Sequence, residues 1–165
     1  MSLGTDLLPE WDQEMLVTRR VIERVPSEKG EWKPHPKSFS LAHLTQLVAW
    51  MPGWVVMAIN QPELDLKSGG GGYSTQTTET LLKEFDKNAA AGRKALEDAK
   101  DSDFKLPWSL KMGDQVLMTM PRGAVVRQTI SHLSHHRGQL TVYLRLLDVP
   151  VPSVYGPTAD DKPWG

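Results

Sequence analysis

Apolar residues recur at three- and four-residue intervals along most of the chain, the spacing of helices with one buried face. Leu7, Trp11, Met15, Thr18, Val21, Ile22 and Val25 trace a first helix that Pro26 ends. Pro34 and Pro36 punctuate a polar connection, and Ser40 stands where an N-cap belongs. Leu41, Leu44, Leu47, Val48, Met51 and Val55 then mark one face of a second helix. Pro52 removes a backbone donor and crowds the preceding turn, which predicts a kink or break near Trp50. Gln61 to Thr77 reads as a flexible connection centred on Gly69-Gly70-Gly71-Gly72, which lacks the Gly-Lys-Ser/Thr ending of a phosphate-cradling loop. Thr78 caps a third helix carrying Leu81, Leu82, Phe85, Ala89, Leu96 and Ala99 inward and a strongly charged face outward, ending near Asp101. Between Leu106 and Thr119 the period shifts towards two around Met112-Gly113-Asp114, which predicts a short hairpin or a loop. Pro121 suits the first turn of a fourth helix running to about Leu147, where Asp148-Val149-Pro150 stops it. Four long helices without an internal repeat predict an all-α chain, a four-helix bundle.

At 165 residues and 18.5 kDa the chain is long enough for one core and too short for two ordinary domains, so 1–165 reads as a single domain. Charge narrows the partners. With 19 Lys+Arg against 20 Asp+Glu and a net charge of -1, no global basic field draws in nucleic acid or an anionic membrane. The longest apolar stretch, Leu47 to Ile59, is interrupted by Pro52-Gly53 and is shorter than the ~20 residues that span a bilayer. The N-terminus shows no charged-then-apolar leader pattern, so a cytoplasmic protein is expected. No cysteine is present, which excludes disulfides, a thiolate nucleophile and cysteine metal ligands. Any bound metal must be held by imidazole or carboxylate.

The densest chemistry lies in Ser131-His132-Leu133-Ser134-His135-His136-Arg137-Gly138-Gln139. His132 and His136 are four residues apart, so their Cβ atoms share one helix face at roughly 5–6 Å, close enough for both rings to reach one divalent ion. The core stripe of this helix runs through Val126, Ile130, Leu133, Leu140, Leu144 and Leu147. At ~100° per residue the two rings fall roughly 70–110° to one side of that stripe, whereas His135 points nearly the opposite way. His43 lies about 100° from the apolar centre of the second helix, on the flank of Trp50 and Trp54. Taken singly, each histidine reads as a ring bonded to backbone or solvent, and periodicity alone does not assign His43 to the site of the other two. His35 lies in a proline-flanked loop and is expected in solvent, and Arg137, near the middle of the stripe, is expected to pair with a carboxylate or reach the surface. No Glu follows His132 as in His-Glu-x-x-His metalloproteases, so the motif supplies no general base of its own.

His43 in the second helix, His132-x-x-x-His136-Arg137-Gly138-Gln139 in the fourth, and the tail through Tyr155-Gly156-Pro157 resemble the DinB superfamily of bacterial metal-binding bundles, which includes the YfiT-like proteins. The resemblance covers most of the chain and is densest from Asp114 to Asp161. It implies an up-down-down-up bundle, His43, His132 and His136 as ligands of a divalent metal ion such as zinc or nickel, and a homodimer. Family members with known activities include thiol-dependent transferases and isomerases; because three imidazoles leave a position open for water or a thiol, the expectation is a thiol-cosubstrate transferase, the low-molecular-weight thiol coming from outside this cysteine-free chain, or a hydrolase acting on a small molecule. The alternative is a non-catalytic bundle that the metal stabilises and that binds a ligand or a protein. Trp11, Trp50, Trp54 and Trp108 offer large apolar surface either to a dimer face or to the core and cleft. No catalytic residue beyond the metal ligands is assigned.

Overall fold

The structure is a computed structural model that describes residues 2–68 and 72–162. The chain is mostly helical and carries a small three-stranded sheet. In order come α1 (Leu3–Ile22), a 3-10 turn (Ser27–Lys29), α2 (Leu41–Asn60), β1 (Glu63–Asp65), α3 (Thr78–Asp98), α4 (Asp101–Lys105), β2 (Pro107–Met112), β3 (Gln115–Pro121) and α5 (Arg122–Leu146). Three helix starts are fixed by side-chain oxygens that accept free backbone N–H groups: Ser2 from Thr5, Ser40 from His43, and Thr77 from Thr80.

Pairwise contacts set the directions of the four long helices. Arg19 of α1 meets Asp86 of α3, while Ser27 beyond the end of α1 bonds Thr78 at the start of α3, so these two helices run oppositely. Leu3 lies beside Gly123 and Glu14 bonds Arg137, so α1 and α5 run the same way. Trp50 bonds Glu84 and the Pro52 carbonyl approaches Gly92, which makes α2 and α3 co-directional. The Tyr143 hydroxyl donates to the Phe39 carbonyl and Arg122 to that of Ile59, so α2 and α5 are antiparallel. One continuous core fills the centre, with Trp11, Ile22, Leu44, Met51, Phe85, Leu96, Val126, Leu140 and Leu144 almost wholly covered.

Helix α2 runs without interruption through Pro52 to Asn60, not broken near Trp50 as Pro52 predicts. A side chain of α3 braces the turn ahead of the proline. Asn88 Nδ2 donates to the Ala49 carbonyl in the turn ahead of the proline at 3.1 Å, and Gly53 leaves room for the Asn88 side chain. A Cβ on Gly92 would lie 2.5 Å from the Trp11 ring, so only glycine lets α3 close on α1 and α2 there. Helix α2, 20 residues long, is long and apolar enough to cross a membrane, its 18-residue window having a mean hydropathy of 1.3, but 67% of that window is buried inside this chain as a core helix.

The stretch around Met112-Gly113-Asp114 forms a true hairpin: β2 and β3 pair antiparallel from Pro107↔Pro121 to Met112↔Gln115, with an irregularity between Leu110 and Lys111. Gly113 takes the positive φ of the turn, and its N–H donates to Asp65. The all-α expectation misses β1, which pairs parallel with β2 (Leu64↔Leu110) inside the predicted connection, where three residues are too few to display a period. It also misses α4, because α3 stops at Asp98 and the chain restarts one short helix at Asp101. Of the predicted glycine run at 69–72, residues 69–71 lie outside the described residues, and Gly72 is exposed in irregular backbone.

Candidate functional site

Helix α5 carries His132 and His136 one turn apart, and their Nε2 atoms lie 2.9 Å from each other. His136 is buried, and its Nδ1 stands 2.7 Å from Gln139 Oε1. A carboxamide oxygen only accepts, so Nδ1 carries the proton and Nε2 of His136 keeps its lone pair facing His132. Gln139 thus fixes the tautomer from one further turn along the same helix. His132 is more open and lies 5.8 Å from the Trp54 ring of α2. His135 is exposed, its ring edge-on to His136.

His43, in the first turn of α2, stacks on Phe39 with ring centres 4.1 Å apart and is covered by Tyr73. Phe39 in turn lies 6.5 Å from His136, so the three rings belong to one α2/α5 cleft. Nε2 of His43 is buried with no hydrogen-bond partner, an expensive arrangement for an imidazole nitrogen. The structure brings His132 and His136 together. It does not gather His43 with them: among the described residues no three His, Asp or Glu side chains form one ligand cluster.

The donor set nevertheless fits a divalent ion. An ion about 2.0–2.1 Å from two tetrahedrally arranged nitrogens holds them about 3.3–3.4 Å apart, so the His132–His136 pair needs to open by only about 0.4–0.5 Å. The His43 ring, stacked on Phe39 and Tyr73, carries a further imidazole nitrogen that has no partner. Burial lowers the pKa of His43, helped by Lys33, and lowers that of His132, helped by the neighbouring His136 and His135. Both rings are therefore kept neutral, the form that ligates metal. Burial raises the pKa of Tyr73, which keeps it a neutral phenol above His43.

These shifts fix the sign of an acid effect on the metal-free chain. Between the lowered folded pKa values and the ordinary 6.5, the unfolded chain binds more protons than the folded one. Stability should therefore be insensitive to these rings above about pH 7.5 and fall as pH drops through 6.5. Urea midpoints between pH 7.5 and 5.5 should decrease more steeply in the wild type than in His43→Phe, and equal slopes would contradict the shift at His43.

Beneath the pair Arg137 meets a carboxylate, the first of its two expected placements, while its partner Glu14 and the hydroxyls around them were not singled out by the sequence. Arg137 is 2% exposed, and its Nη1 donates to Glu14 Oε2 at 2.6 Å and to Thr18 at 3.0 Å. The Tyr155 hydroxyl donates to Glu14 at 2.9 Å, tying the tail to α1. His35 is exposed, with Nδ1 accepting from the Lys37 N–H. Trp11 and Trp108 are core residues and Trp50 and Trp54 are partly buried, which is the core-and-cleft alternative for these four side chains.

A helical chain with an imidazole pair in an interhelical cleft is a narrow class, and comparison with known proteins places it. The sequence profile of the DinB family matches residues 1–163, and the chain belongs to that family. It is 43% identical over 156 residues to the uncharacterized protein YrdA of Bacillus subtilis strain 168, covering 93% of this chain and 89% of that one. Two solved structures share its fold. A DinB-like protein of Bacillus cereus ATCC 10987 superposes with a TM-score of 0.68 at 21% identity, over 90% of this chain and 95% of that one. The DinB-like protein YjoA of Bacillus subtilis also gives 0.68, at 15% identity, over 94% and 98%.

Proposed function

We propose that the chain is an up-down-down-up four-helix bundle whose α2/α5 cleft holds one divalent ion, zinc or nickel, on His43, His132 and His136. In this reading it acts in the cytoplasm as a thiol-cosubstrate transferase or a hydrolase on a small molecule. The observation that carries the site is the 2.9 Å approach of two imidazole Nε2 atoms on α5, with the unpartnered buried Nε2 of His43 on α2 as further support. The helix directions set by the Arg19–Asp86, Glu14–Arg137 and Tyr143–Phe39 contacts support the bundle.

Three neutral imidazoles leave a position open, and an ion so held supplies Lewis acidity that makes a water or thiol nucleophilic near neutral pH. The chain's own residues do the rest. Gln139 holds the His136 proton on Nδ1, so that Nε2 faces the cleft. Phe39 and Tyr73 cover the faces of the His43 ring until it turns towards the pair. Trp54 walls the side of His132.

The test is consumption of a low-molecular-weight thiol, such as glutathione, with an alkylating electrophile by the chelator-treated chain before and after one equivalent of zinc or nickel. Turnover that requires the ion supports the transferase reading. Uptake of the ion without turnover of thiol or ester substrates favours the second reading, a metal-stabilised binding module, which the apolar cavity beside His132 also supports.

The reading includes a homodimer formed through the outer faces of α1 and α5. Its support is the exposed apolar side chains Leu16 on α1 and Val142 and Leu146, one turn apart, on α5. Light scattering at micromolar concentration should give twice the 18.5 kDa chain mass, and a mass near 18.5 kDa contradicts the dimer.

A further inference from the structure

Trp50, Gly53, Trp54 and Met57 recur at three- and four-residue intervals on α2, and each is half-buried. With Glu84, Lys87 and Asn88, spaced the same way on α3, they line a groove of about 330 Å³ between the two helices. The charges in this groove are the ones that α3 leaves unmatched. Lys83 pairs with Glu79, Arg19 with Asp86, Arg93 with Glu97 and Lys94 with Asp98, which accounts for every other charged side chain of the helix. Glu84 and Lys87 stand one turn apart, yet they do not pair with each other and have no ionic partner among the described residues. Glu84 is held by α2 instead. Its Oε2 accepts the Trp50 Nε1–H at 2.6 Å, which leaves Oε1 free to accept from a ligand. Asn88 spends its amide donor on the Ala49 carbonyl.

A carboxylate and an ammonium that face one groove without meeting are complementary to a molecule that carries both charges. We propose that the groove binds the zwitterionic end of an α-amino acid, its ammonium on Glu84 and its carboxylate on Lys87, with the apolar part of the molecule against Trp54 and Met57. A lone cation would meet Lys87 and a lone anion would meet Glu84, so the zwitterion alone satisfies both. The Trp50 indole fixes the Glu84 carboxylate before any ligand arrives, which spares the ligand the cost of ordering it. Lys87 is exposed, and its contact is worth less. Trp54 belongs to this groove and also lies 5.8 Å from the His132 ring. Taking the amino acid as the charged end of the thiol cosubstrate rests on the proposed site at His132; its binding does not.

The proposal is tested on the metal-free chain by titration with three probes of one shape: phenylalanine, phenethylamine and 3-phenylpropionate. The zwitterion is expected to bind most tightly, the amine about threefold more weakly, and the carboxylate weakest. Glu84→Gln, whose amide oxygen can still accept the Trp50 N–H, should weaken phenylalanine and phenethylamine about tenfold each. Lys87→Met, a change at an exposed position, should weaken phenylalanine about threefold and leave the amine at least as tight, abolishing the preference for the zwitterion. In two-dimensional NMR the indole N–H signals of Trp50 and Trp54 should shift on adding phenylalanine, while that of Trp108 stays in place. Carboxylate binding as tight as phenylalanine binding, unchanged phenylalanine affinity in Glu84→Gln, a zwitterion preference that survives Lys87→Met, or no binding of phenylalanine at millimolar concentration would each overturn the proposal. A chain that prefers phenylalanine yet takes up no ion overturns the metal reading alone. One that takes up the ion without discriminating among the probes overturns only the groove assignment.

Discussion

Glu14→Ala is expected to destabilise the fold by about 3–5 kcal/mol, the largest stability effect of any single side chain outside the apolar core. The arithmetic follows from burial. Glu14 and Arg137 are 7% and 2% exposed and meet at 2.6 Å, and the same carboxylate also receives Ser134 and Tyr155. Removing it leaves a guanidinium inside the helical core with only the Thr18 hydroxyl, the Glu14 carbonyl and Tyr155 as partners. Such an uncompensated charge costs far more than the pair gains over an apolar replacement. The double variant Glu14→Leu with Arg137→Met should therefore recover most of the loss. Tyr155→Phe, which removes one hydroxyl from the network, should cost only about 1 kcal/mol. Urea unfolding at pH 7.5 separates these outcomes. A loss below about 1 kcal/mol for Glu14→Ala, or a double variant no better than the single, contradicts the role given to the network.

The second large effect falls on metal uptake. On the proposed site His136→Ala should abolish ion binding at micromolar protein, because it removes both a ligand and the ring that meets His132 Nε2. His135→Ala should leave binding nearly intact despite adjoining His136, since its ring is exposed and makes only edge contact. Gln139→Ala keeps all three rings but frees the His136 proton to move to Nε2, and should weaken binding by about 10–100-fold. Metal titration of the three folded variants checks the series. Equal losses at His135 and His136 contradict the assignment.

Helical periodicity was enough to place the four long helices within a few residues, because each buries a stripe against two neighbours. The i, i+4 spacing likewise foretold that His132 and His136 would meet. What escaped has physical causes. β1 has three residues and gains its pairing from β2 more than forty positions away, so no local pattern marks it. The turn ahead of Pro52 is braced by Asn88, a side chain from another helix that donates to the Ala49 carbonyl, and the pattern of α2 alone does not display that contact. Glu14 was legible in principle: it lies on the α1 stripe between Trp11 and Thr18, as Arg137 lies on that of α5. Opposite charges on two buried stripes are a signal that reading one helix at a time does not register. The place of His43 came from resemblance rather than periodicity, and its ring stacks on Phe39 and Tyr73, neither of which the sequence singled out.

The central claim is that one ion joins His43 to the pair on α5. Crystals grown with equimolar zinc or nickel, with diffraction recorded on both sides of the metal's absorption edge, test it most directly. The account predicts one anomalous peak per chain, about 2.0–2.2 Å from a ring nitrogen of each of His43, His132 and His136, with the His43 ring turned out of its stack. A peak held by His132 and His136 while His43 stays stacked on Phe39, or no peak in the cleft of a fully ordered chain, would contradict it.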